Sequence, residues 1–78
     1  MNDHLRDWLS GATNERRQAV AAAAKTSVGH LWQLAGGHRE ASADLAERLQ
    51  DASGGEITIA GLRPDLITFA RKALKGAA

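Results

Sequence analysis

The chain contains no cysteine. That removes disulfides, thiol catalysis and thiolate metal sites, and it fits a reducing cytosol. A single proline in 78 residues leaves room for one small domain, 1–78, with a modest apolar core and correspondingly marginal stability. No apolar run approaches the roughly 20 residues that span a bilayer. The start, Met1-Asn2-Asp3-His4, lacks the charged-then-apolar layout of a secretory signal. The expectation is a soluble, cytoplasmic protein with no membrane partner. A further absence is local. Between residues 16 and 39 there is no Asp or Glu, while Arg16, Arg17, Lys25 and Arg39 fall there with His30 and His38. The net charge of +1 hides this basic block, which suits a phosphate-bearing partner or, equally, a solvated face. Acid returns at Glu40, Asp44, Glu47, Asp51 and Glu56, and the C-terminus is basic again at Arg63, Arg71, Lys72 and Lys75.

What is present is punctuation. Gly and Ser divide the chain into four to five short helical segments, an all-α pattern. Leu5, Trp8 and Leu9 share one helical face over roughly residues 2–10, with Asn2 or Asp3 as cap, Gly11 as stop and Trp8 directed to the core. Thr13 or Asn14 opens a second helix that runs through an alanine tract to Ala24. Ser27 caps a third over Val28 to about Ala35, apolar at Leu31, Leu34 and Ala35 and stopped by Gly36-Gly37. Ser42 caps a fourth over Ala43 to about Ala52, with Leu45, Leu49 and Ala52 inward and Asp44, Glu47, Arg48 and Asp51 toward water. Ile57-Thr58-Ile59 alternates like a short strand, but Thr58 also suits the cap of a brief helical turn through Leu62, which is preferred. Pro64 opens a last helix, about 64–75, striped by Leu66, Ile67, Ala70 and Leu74 with Phe69 beside them. That stripe closes the monomer core or forms a dimer interface.

Residues 17–36 meet the requirements of a helix-turn-helix. Ala21 is small enough for a second helix to cross closely, with Val20 and Ala24 as buried neighbours. Lys25-Thr26-Ser27 forms the turn, with Lys25 where glycine is usual, and Leu31 and Leu34 seat the second helix. No catalytic set emerges: serines and histidines lack an acidic third member, and His4, His30 and His38 match no ligand spacing. Neither enzyme activity, cofactor nor metal is expected.

The run Val20 to Pro64 resembles small phage and prophage repressors of the Cro type, and most closely YdaS-like regulators. The resemblance covers over half the chain. It is carried by the bipartite helix Val20 to Leu34, then Leu34-Ala35-Gly36-Gly37-His38-Arg39, Ala52-Ser53-Gly54-Gly55 and Leu62-Arg63-Pro64-Asp65. It implies a lambda-repressor-like helix-turn-helix fold and a cytoplasmic, nucleoid-associated transcriptional repressor. Such a repressor binds double-stranded operator DNA as a homodimer through Leu66, Ile67, Phe69, Ala70 and Leu74 as candidate dimer residues. An antitoxin-like or adaptor module acting on a toxin-like protein partner is the alternative. Carried over position by position, the base-reading residues are Val28, Gly29 and Gln33. Gln33 suits bidentate contact with adenine, and Val28 suits a thymine methyl. Arg17, Thr26, Ser27, Trp32, His38 and Arg39 are the backbone or flanking candidates. Trp32 stands equally as a core residue folded over the first helix.

Overall fold

Five side-chain caps set the rhythm of the chain. In the computed structural model, which describes the backbone of residues 2–77 and the side chains of residues 2–73, every helix but the last begins with a polar residue in extended conformation. Its oxygen accepts the amide three residues on: Asn2 from Leu5, Thr13 from Arg16, Ser27 from His30, Ser42 from Leu45 and Thr58 from Gly61, at 2.9–3.1 Å. Each such cap stabilises its helix by about 1 kcal/mol. The elements are α1 (Asp3–Gly11), α2 (Asn14–Ala23), α3 (Val28–Ala35), α4 (Ala43–Ala52), α5 (Ile59–Leu62) and α6 (Pro64–Ala77). Six helices thus stand where four to five were expected, because the Thr58 turn forms a separate element, and no strand occurs among the described residues. Gly11 closes the last turn of α1 rather than following it, with Ala12 as the capping residue.

Three helices end in the same way. The residue after the cap turns left-handed, and two amides fold back on the last turn. After α2, Lys25 takes φ 60°, its amide bonds Ala22 O at 3.0 Å and that of Thr26 bonds Ala21 O at 2.9 Å. Gly37 (φ 80°) after α3 and Gly54 (φ 66°) after α4 do the same.

The core gathers Leu5 and Leu9 of α1, Val20, Ala21 and Ala24, Leu31, Leu34 and Ala35 of α3, Ala41, Leu45, Ala46 and Leu49, Ile57 and Leu62. Fully burying a leucine or isoleucine stabilises by about 1.5–3 kcal/mol, so these few side chains dominate the packing. Among the described residues the one buried polar side chain is that of Ser53, which accepts the Ile57 amide at 2.8 Å and donates to Gln50 O at 3.3 Å. Trp8 was expected inside. It is half-buried against the core, with its Nε1 donating to Glu56 at 3.0 Å. Arg48 was expected in water. It is half-buried, and its Nε donates to Ala24 O at 2.9 Å, joining α4 to the negative end of α2.

α6 stands apart. It packs chiefly on α5, and none of its described side chains joins the buried core. Leu66 and Ile67 are half-buried, Ala70 is exposed, and Phe69 is 71% exposed. Leu74, the last candidate of that stripe, lies outside the described side chains. A 14-residue helix is about 21 Å long. The molecule is elongated, 45 Å against 22 and 19 Å.

Candidate nucleic-acid interface

α2 and α3 pack against each other across the Lys25 turn. The small side chains on the inner side of α2 allow this: Ala21 and Ala24 are buried beside Val20, and Leu31, Leu34 and Ala35 seat α3. The opposite side of α3 faces water. Gly29, Trp32 and Gln33 are exposed there at i, i+3 and i+4, followed by Gly36 one turn on. A Cβ built on Gly29 meets nothing within 4 Å, so that stretch of helix surface is open to close approach.

The remaining candidates differ in availability. Val28 is half-buried and packs on the core, which leaves only part of its side chain for contact. Ser27 is exposed, but its hydroxyl already accepts the His30 amide. Thr26 is half-buried, and His38 and Arg39 are exposed beyond the end of α3. Trp32, left between two readings by the sequence, is 41% exposed, with the Arg17 guanidinium carbon 5.9 Å from its ring centroid. Arg17 also donates from Nε to Leu9 O at 2.6 Å, at the negative end of α1. It is thereby held in a fixed pose over the indole.

The basic block divides. Arg16, adjacent in sequence, leaves the site: its Nη2 donates to Ser53 O at 3.1 Å and pairs with Glu56 at 3.3 Å. Glu56 therefore holds two partners, and the Trp8 hydrogen bond, then Arg16, lower its pKa. Glu40 and Asp65 are gathered by one guanidinium, Arg63, at 3.0 and 2.7 Å, and Arg63 also bonds Ala41 O. The hydrogen bond to Asp65 raises Arg63 and lowers Asp65. The first acid after the basic block is thus engaged at the start of α6.

Sequence reasoning named Asn2 as a cap but missed its tertiary contacts, and it missed Arg6 altogether. Arg6 of α1 lines a surface notch with Trp32, Ala35 and Gly36, because α1 packs on α3. Asn2 caps α1, donates from Nδ2 to Gly61 O and Leu62 O, and its own amide bonds Ala35 O at 3.0 Å. Helical periodicity carries no signal for Arg6 beside α3 or for the bonds of Asn2 to Ala35, Gly61 and Leu62, since those partners lie far along the chain. Among the described residues no group of three or more His, Asp or Glu is placed to hold a metal ion, and no helix is long and apolar enough to cross a membrane. Searches of known family models, curated proteins and solved structures returned no match to this chain.

Proposed function

We propose that this protein is a sequence-specific double-stranded DNA-binding regulator whose recognition helix is α3. The observation that carries the reading is the outer side of α3. Gly29, Trp32 and Gln33 are exposed above a buried seat, with Arg17 over Trp32, Lys25 in the turn before α3, His38 and Arg39 just after it, and no acid in the sequence between Arg16 and Arg39. Phosphate attraction then supplies affinity, and Gln33 supplies discrimination at a base edge. Repression by occluding a promoter, in the manner of a Cro-like prophage regulator in the bacterial nucleoid, rests on the family resemblance alone.

Selection from a random duplex library should recover one motif, and binding should weaken steeply with salt, by about 0.9 in log–log slope per phosphate neutralised. A library that yields no enriched motif would overturn the proposal. Gln33→Ala should lose about 1–3 kcal/mol of discrimination at one base pair; an equal loss on every variant operator would remove Gln33 from base reading.

A single module reads one half-site, so the proposed active form is a homodimer paired through α6. Charge favours an antiparallel pair. Glu40 and Asp65 share one guanidinium at the start of the helix, leaving an excess negative charge, whereas Arg71 and Lys72 lie further along it. A two-fold axis beside Phe69 sets each acidic start near the other copy's basic stretch and covers both phenyl rings. A palindromic motif with half-sites about 34–36 Å apart is the expected signature. An asymmetric motif, or α6 occupied by a toxin-like protein in place of a second copy, favours the antitoxin-like alternative.

A further inference from the structure

We infer that Arg63 is the positioning residue that fixes the direction of α6 relative to the body carrying α3, and thereby the spacing between the half-sites that a dimer reads. The inference rests on the proposed DNA-binding homodimer and names what sets its geometry. The residue before α6 is Arg63, whose side chain has no acceptor, so α6 starts without the cap that opens the other helices. Among the described residues, α6 side chains reach another part of the chain by hydrogen bond or ion pair only through that arginine. Asp65 takes both arms of its fork, Nε at 2.9 Å and Nη2 at 2.7 Å, while Thr68 bonds back to Pro64 O within α6. The same guanidinium donates from Nη1 to Ala41 O at 2.8 Å and pairs from Nε with Glu40 at 3.0 Å. Ala41 is buried in the core, so one planar group joins the first turn of α6 to the segment that follows α3. The Arg63 side chain is only 18% exposed, and a sheltered fork fixes direction as well as distance.

The run Leu62-Arg63-Pro64-Asp65 builds this clasp. Leu62 anchors α5 in the core. Pro64 keeps Arg63 out of helical backbone, at φ −135° and ψ 72°. Residues two apart do not face each other on one helix, but the break at Arg63 lets its side chain meet Asp65. Apolar packing gives α6 a narrow footing: Leu66 and Ile67 are half-buried, and the helix beneath is the four-residue α5. A swing of about 10° at such a joint moves a point about 20 Å away by roughly 3.5 Å, close to the roughly 3.4 Å rise of one base pair. The clasp therefore acts at the scale on which half-site spacing is read.

The test pairs a DNA-free measurement with a selection. Residual dipolar couplings of α6 in the wild-type protein should fit one alignment tensor with α1–α5, and in Arg63→Ala and Asp65→Ala they should need a separate one. Asp65 is exposed and outside the core, so Asp65→Ala keeps the fold even where Arg63→Ala does not. Arg63→Lys keeps the charge and loses the fork, so it should behave as Arg63→Ala. Glu40→Gln loses a single Nε contact and should have the smaller effect. From duplexes carrying two half-sites at varied separation, wild type should select one spacing. Asp65→Ala should lose that preference while recovering the same half-site sequence and still sedimenting as a dimer. Wild-type couplings that need a separate tensor for α6 would overturn the proposal, as would an Arg63→Lys protein with wild-type spacing. A dimeric Asp65→Ala that retains the wild-type spacing overturns it too and leaves the DNA-binding reading standing. If the wild-type protein enriches no motif or sediments as a monomer, the dimer reading and the proposal fall together.

Discussion

Lys25 carries a cost to the fold, set against its proposed place beside the recognition helix. It holds φ 60°, a conformation that costs an ordinary residue about 1–2 kcal/mol, where glycine would sit without strain. Lys25→Gly should therefore stabilise the protein by about 0.5–1 kcal/mol in urea denaturation, since glycine's greater unfolded-state freedom offsets part of the gain. The same substitution should weaken DNA binding by removing a charge beside α3. A gain in stability without any loss of binding would show that the lysine serves no DNA contact. Glycines divide along the same line. A Cβ at Gly29 meets open space, so Gly29→Ala should raise stability by up to about 1 kcal/mol through helix propensity. A Cβ at Gly61 would run into the His4 imidazole, whose Nε2 accepts the Thr58 amide at 3.1 Å. Gly61→Ala should lower the melting temperature, with the α1–α5 contact as the first casualty in hydrogen exchange.

At the scale of elements, the distinction is between the helices that supply the core and α6, which packs outside it. α2, α3 and α4 each carry a side-chain cap at the start and a left-handed closure at the end, and they enclose the core. α6 has only α5 beneath it for most of its contacts and leaves Phe69 bare. Phe69→Asp should leave the monomer's circular dichroism unchanged while shifting sedimentation from dimer to monomer and weakening operator binding. A wild-type protein that sediments as a monomer at high concentration would remove α6 as the pairing element. The clasp around Glu56 belongs to this scale too, because it ties α1 and α2 to the loop before α5. Its folded pKa is lowered, so its contribution is present above the ordinary carboxylate range and disappears as pH falls through the folded value. Glu56→Gln should flatten the acid limb of the stability–pH curve and leave the neutral plateau lower; an unchanged acid limb would show that the clasp does not couple to folding.

The whole molecule sorts its charge by folding. A basic block continuous in sequence divides into Arg16, drawn to Ser53 and Glu56, and Arg17, held over Trp32. Arg6, outside that block, is brought to the same notch as Trp32. The result is two arginines from other helices beside Trp32 of α3, and a last helix packed chiefly on α5 outside the core. The proposed division of labour follows: reading at α3, pairing through α6.

The sequence by itself determined the helices, their starts and most of their stops. Ser27, Ser42 and Thr58 were legible as caps, and Gly36-Gly37 and Gly54-Gly55 as closures, because capping bonds join residues three to five apart and need no tertiary partner. The buried side chains of α3 were legible for the same reason, through periodicity. Only the tertiary structure decided the exposure of Trp32, the pull of Arg48 onto Ala24, the threefold use of Asn2 and the arrival of Arg6 beside α3. Each of these depends on which helix faces which, and a long polar side chain takes its partner from the neighbouring helix rather than from its own turn.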